Sequence, residues 1–213
     1  SLVKYHTAVA AGGVGMTTVA YAAVTRSGLS FQHQLLINRD AIPELRRLTD
    51  AIHREGAAAA IQLGHCGLMA DVSVAGTCLS PSGGFNLYGP NFHRAARVEE
   101  LKEIVREFGR AVKIAGESGF DVVEIHAGHG YFISQFLSPY TNKRKDDYGG
   151  SFENRSRFMT GVIREVMASA GQHMGVVVKM NLRDGFKGGM ELDESTRVAR
   201  LLEQEGVHGL VLS

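Results

Sequence analysis

The sequence predicts an α/β protein with one parallel sheet, and within that class part of a (β/α)8 TIM barrel. Three observations lead there. A helical stretch ending in Gly and followed by a short apolar run recurs along the chain. Long loops follow strands only, at 64–97, 127–150 and 181–192. Unusual polar residues, Gln62, His126, His129 and Lys179, stand at or just beyond the C-terminal ends of predicted strands. Strand–helix alternation alone suits a doubly wound sheet or a barrel. Polar residues gathered at successive strand ends favour the barrel, where those ends converge on one mouth. No GxGxxG follows the first strand, which weakens the dinucleotide-binding alternative.

The runs are Ala11-Gly12-Gly13-Val14-Gly15-Met16-Thr17-Thr18, Gly56 through Gln62, Gly119 through His126, Gly175 through Asn181, and Gly206 through Leu212. Glycine past a last helical turn suits the left-handed C-terminal cap, and short runs apolar throughout suit strands covered on both faces. Between them the period becomes helical. Pro43 can open a helix ahead of Leu45, Leu48 and Ile52. Leu101, Ile104, Val105, Phe108, Val112 and Ala115 recur at three and four, as do Phe158, Val162, Ile163 and Val166. Ser151 is a suitable cap for a helix over 152–169. Asp193 and Glu194 place acidic groups in the first turn of the next helix, where its dipole favours them.

Composition narrows the function classes. Lys+Arg 23 against Asp+Glu 22 leaves a formal charge of +1, which gives no electrostatic reason to expect nucleic acid or an anionic membrane as partner. Apolar stretches such as Val176-Val177-Val178 are far too short to span a bilayer. The first residues carry no charged start followed by an apolar run, so no signal peptide is expected. Cys66 and Cys78 lack CxxC spacing and read as two free thiols, which makes the cytoplasm the expected compartment.

The chemistry is densest in His126-Ala127-Gly128-His129-Gly130-Tyr131, at a predicted strand end. Two imidazoles and a phenol within six residues form a set of neutral donors able to polarise a carbonyl oxygen and deliver a proton. His-x-x-His also allows a metal site, although HExxH is absent and no third ligand stands out. Histidines satisfied within a loop are the third reading. Residue chemistry leaves all three open.

The segment continues through Gln135-Phe136-Leu137-Ser138-Pro139, Asn142-Lys143-Arg144-Lys145-Asp146 and Tyr148-Gly149-Gly150-Ser151-Phe152-Glu153-Asn154-Arg155. This long pattern resembles the signature of the old yellow enzyme and NADH:flavin oxidoreductase family. The similarity extends to Gly13-Val14-Gly15-Met16-Thr17-Thr18, Ile61-Gln62-Leu63-Gly64-His65 and Ser80-Pro81-Ser82. Val178-Lys179-Met180-Asn181 and the stretch from Asp184-Gly185 to Gly188-Gly189 are most similar to the 2,4-dienoyl-CoA-reductase-like branch.

The resemblance implies a barrel with FMN at its mouth, NADH or NADPH as hydride donor, and an α,β-unsaturated carbonyl or related small molecule as acceptor. It implies that Gln62 binds the flavin's pyrimidine edge and that Lys179 stands where a cation stabilises the reduced ring. His126 and His129 would hold the acceptor's oxygen, with His126 and Tyr21 also bordering the flavin, and Tyr131 would donate the proton. Tyr21 falls where relatives have Gly or Ala against the flavin, and Leu68 follows Gly67 where the family often has Arg. Asn154 and Arg155 are expected to organise the loop and helix start. No metal ligand is assigned; a [4Fe-4S] cluster belongs to segments of larger relatives beyond Ser213. A homo-oligomer is compatible with all of this.

By the same resemblance, residues 1–213 make a single FMN-binding domain truncated at both ends. About five β/α units, strands 2 to 6, are expected, without the first strand and the last two units whose Gly-rich turns cradle the FMN phosphate. Two functions follow: an ene-reductase or NADH:flavin reductase of which this is a part, or an inactive barrel piece serving only as an interaction module.

Overall fold

Each of the five β-rich runs becomes a strand of one sheet. The structure is a computed structural model that describes residues 1–87 and 89–213. Helix α1 (Leu2–Ala11) leads through Gly13, whose φ of +92° makes the turn, into β1 (Met16–Ala23). The strand begins later than the apolar run suggests, because pairing with β2 (Ala58–Gly64) extends from Met16↔Ala58 to Ala23↔Gly64. Between these strands lies α2 (Ile42–Arg54), with Pro43 in its first turn, as expected from the sequence.

The stretch after β2 is more than a loop. It holds α3 (Val72–Ala75) and a small three-stranded sheet of β3 (Leu79–Ser80), β4 (Gly84–Asn86) and β5 (Asn91–Ala95). Helix α4 (Val98–Glu117) then leads into β6 (Val122–Ala127). The segment after β6 likewise contains a short helix, α5 (Phe132–Leu137), before α6 (Phe152–Ala170). The Ser151 side chain caps α6 by accepting from the Asn154 N–H. Strand β7 (Gly175–Met180), α7 (Leu192–Gln204) and β8 (Gly209–Leu212) complete the described chain.

The main sheet has the order β1-β2-β6-β7-β8, and every neighbouring pair is parallel. Sequence neighbours among the barrel strands are therefore spatial neighbours, the arrangement of barrel staves. Ile61, Leu63, Val123, Ile125, Val176 and Val178 bury one face against the helices. Side chains alternate along a strand, so the opposite, inner face carries Gln62, Glu124, His126 and Lys179. Among the described residues, no helix is long and apolar enough to cross a membrane.

Phe132, Phe136 and Phe158 are fully buried, with ring centroids 4.7–5.3 Å apart. Burying each contributes roughly 1.5–3 kcal/mol. This cluster fastens α5 to α6, and Tyr131 immediately precedes α5. Apolar packing on the helix side thus holds the residue that projects toward the mouth.

Candidate active site

The site grows from the end of β6. His126 is the last inner-face residue of that strand and is buried. Its Nδ1 accepts from the Gly128 N–H at 3.3 Å, so the ring proton resides on Nε2 and can be donated. Burial, then His129 and Lys179, push its pKa down to about 4, keeping the ring neutral at pH 7. His129 lies at φ +54°, a left-handed conformation uncommon outside glycine. The Asn181 side chain holds that turn by accepting from the His129 N–H at 2.8 Å, while His129 Nε2 meets Ser213 Oγ at 2.6 Å. Burial and Lys179 lower the His129 pKa as well.

Tyr131 lies across His126 with ring centroids 4.6 Å apart, and the two histidine rings are 5.1 Å apart. Burial, the main cause, and nearby Cys66 push the Tyr131 phenol up; the Ser30 and Tyr21 hydroxyls pull the other way. The phenol therefore holds its proton at pH 7. Tyr21 completes the cluster, 5.2 Å from the Tyr131 ring and 6.2 Å from the His126 ring. A bulge in β1, where Ala20 and Tyr21 together oppose Gln62, aims Tyr21 here. Its hydroxyl can donate to Gly28 O at 3.1 Å or to Ser30 Oγ at 3.2 Å. Gly64 leaves room for the pair: a Cβ there would stand 3.0 Å from the Tyr21 ring and 3.3 Å from His126.

His126, His129, Tyr131 and Tyr21 are thus brought together, and Lys179 is the register partner of His126 on β7. Lys179 has no hydrogen bond or ion pair to any described residue, so it is not the rim salt bridge that a strand-end lysine often forms. Gln62 lies next to the cluster in the sheet, across the β1 bulge from Tyr21. It is buried on the inner face, and its Nε2 donates to Glu124 Oε1. Among the described residues, no three His, Cys, Asp or Glu side chains form a group able to hold a metal.

Sequence reasoning assigned no role to Glu124, Gln135 or Asn181. Buried Gln135 is fully used: it donates to Cys66 O at 3.1 Å and Gly130 O at 2.6 Å, and accepts from the Leu68 N–H at 3.2 Å. It ties the loop after β2 to the loop carrying Tyr131. Gly67 touches this amide so closely that a Cβ would sit 2.3 Å from Gln135 Oε1, at a φ of +64°. Arg155 organises its loop as expected, donating to Leu137 O at 2.8 Å and Gly150 O at 2.7 Å. Asn154 does so less directly, accepting from Arg157 at 2.8 Å. The visible signal for Glu124 was a charge inside an otherwise apolar strand.

His65, beside the site, is structural. Its Nδ1 accepts from the Gly67 N–H at 3.0 Å, its Nε2 faces Ser27 Oγ at 3.1 Å, and its ring lies 4.5 Å from Phe132. Burial pushes its pKa down to about 3. An unfolded histidine titrates near 6.5. Below that pH the unfolded chain therefore binds protons that folded His65 and His126 refuse. Their stabilisation is complete above pH 6.5 and is lost as pH falls toward about 4 for His126 and about 3 for His65. Across pH 4–6, His65→Gln should reduce the pH slope of unfolding free energy by up to about 1.4 kcal/mol per pH unit. Urea unfolding at stepped pH checks this; an unchanged slope would refute it.

The model of the NADH:flavin oxidoreductase / NADH oxidase family matches residues 1–211. The chain is 42% identical over 206 residues to the 4,4'-dithiodibutanoate disulfide reductase of Rhodococcus erythropolis, covering 96% of this chain and 51% of that protein. It is 38% identical over 204 residues to the NADPH dehydrogenase of Listeria monocytogenes serotype 4a, covering 93% and 58%. The chain thus spans little more than half the length of these curated relatives. Among solved structures, a 2-naphthoyl-CoA reductase in complex with 2-naphthoyl-CoA superposes with a TM-score of 0.93 at 26% identity, over 99% of this chain and 35% of that one. The old yellow enzyme homologue from Zymomonas mobilis gives 0.89 at 26% identity, over 99% and 62%. These neighbours are TIM barrels, and the five-stranded sheet is part of such a barrel.

Proposed function

Because the chain belongs to the NADH:flavin oxidoreductase / NADH oxidase family, we propose that it carries the substrate-binding and proton-donating residues of an FMN-dependent reductase, which draws on NADH or NADPH and saturates an activated C=C bond. The observation that carries the reading is the cluster of His126, His129 and Tyr131 beside a lysine unpaired among the described residues. FMN, when bound, supplies a ring that takes hydride from a nicotinamide and gives it to the acceptor. The inner face suits the polar edge of that ring: Lys179 is a cation without a partner among the described residues, and the Gln62 amide offers both a donor and an acceptor.

The rest is the work of the chain's own side chains. His126, neutral and with its proton on Nε2, donates to the carbonyl oxygen of an enone. His129 adds a second donor once its ring turns from Ser213. Both bonds strengthen as that oxygen gains charge during hydride arrival at the β-carbon. The Tyr131 hydroxyl gives its proton to the α-carbon, and the resulting phenolate is reprotonated from solvent. One hydride and one proton thus convert C=C to CH–CH.

The Rhodococcus relative favours a second acceptor class, a disulfide. Its reduction takes one hydride and one proton to give two thiols, and Tyr131 can protonate the departing thiolate. The buried free thiols Cys66 and Cys78 support a reducing, cytoplasmic setting.

The test uses the intact gene product. It should purify yellow, bleach with NADH or NADPH, and recover its colour with cyclohexenone or 4,4'-dithiodibutanoate, whichever acceptor class it serves. A folded, colourless protein that oxidises no nicotinamide would overturn the reading and favour an interaction module.

A further inference from the structure

Glu124 is the only buried acidic residue among those described. It sits on the inner face of β6, directly opposite Gln62 of β2 in the register, and makes no ion pair with Lys179. Its Oε1 instead accepts from Gln62 Nε2. A carboxylate can only accept, so the amide must turn its NH2 group toward Glu124. That leaves the Gln62 carbonyl oxygen and its second N–H for another partner. A primary amide so constrained matches an imide edge, an N–H flanked by C=O groups, which is the outer edge of a flavin pyrimidine ring.

We propose that Glu124 is a positioning residue that fixes the Gln62 amide in the orientation that reads an imide N–H. This rests on the flavin reading above. Without the carboxylate the amide is free to flip, and the flipped form sets an NH2 donor against the imide donor. The pair thus confers selectivity for an unsubstituted imide.

The probes are FMN and 3-methyl-FMN, which carries a methyl in place of the imide hydrogen. They are titrated by fluorescence into the full-length protein stripped of flavin. Wild type should prefer FMN by more than tenfold, and Glu124→Gln should shrink the preference by about tenfold, the worth of one hydrogen bond. Gln62→Leu should shrink it equally, and adding Glu124→Gln to Gln62→Leu should change nothing further. Glu124→Asp, which keeps the charge but withdraws it by one methylene, provides the same readout if Glu124→Gln fails to fold. A preference unchanged in the Glu124 variants, or an effect of Glu124→Gln that persists without Gln62, overturns the proposal. Wild type that binds both probes equally overturns it while leaving the FMN reading standing. Wild type that binds neither overturns the FMN reading, and the proposal with it.

Discussion

His126→Ala in the intact gene product should slow reduction of cyclohexenone by about 10²–10³, the usual cost of removing a donor from an oxygen that gains charge in the transition state. The expectation is specific to His126 because of how its ring is held. The Gly128 N–H occupies Nδ1, which commits the proton to Nε2, and burial beside Lys179 keeps the ring from taking a second proton. With a pKa near 4 the donor persists unchanged from pH 5 to 8, so the rate attributable to it should be flat across that range. His129→Ala should act in the same direction by less, since that ring is exposed and already faces Ser213. Oxidation of NAD(P)H in the first half-reaction involves no developing oxyanion and should stay near wild type in both variants. Stopped-flow measurement of the two half-reactions separates these effects. Normal enone reduction by His126→Ala would remove that residue from the site.

The elements that sequence reasoning recovered are those with strong local signals. Apolar runs preceded by glycine became β2, β6, β7 and β8, and the helices with a three-and-four apolar period became α4 and α6. Their stability is written in residues that neighbour one another on one face. Helix α5 and the β3–β5 sheet escaped detection for a physical reason. They are short, and their order depends on distant partners: Phe132 and Phe136 pack on Phe158, and Asn91 reaches back to Ala70 O at 3.0 Å.

The site divides the same way. His126, His129 and Tyr131 were legible because a run of donors at a strand end is unusual. The contribution of Tyr21 was half legible, since a bulge exists only relative to the strand it pairs with. Glu124 was overlooked because a strand in a parallel sheet is expected to be apolar on both faces. On the inner face of the barrel its side chain instead meets Gln62, which stands opposite in the register and donates to it.

Tyr131→Phe should give the largest and most selective loss. The substitution removes one oxygen and keeps the ring, so contacts with Tyr21 and His126 should survive. The phenol is held above its ordinary pKa mainly by burial, so at pH 7 it carries the proton it is to give. Oxidation of NAD(P)H needs no proton from this residue and should proceed at close to the wild-type rate. Turnover of an α,β-unsaturated ketone, which needs a proton on carbon, should fall by about 10²–10⁴, the range for a lost general acid. Quinone reduction places its protons on oxygen, where solvent can deliver them, and should be spared. For a disulfide acceptor the loss should be smaller than for the enone, because a departing thiolate is a far weaker base than a carbanion and needs the donated proton less. The order of impairment, enone first, disulfide next and quinone least, is what a single misplaced proton predicts. A Phe variant equally slow with all three acceptors would point instead to a general disturbance of the mouth. One unimpaired with the enone would assign the proton to another group.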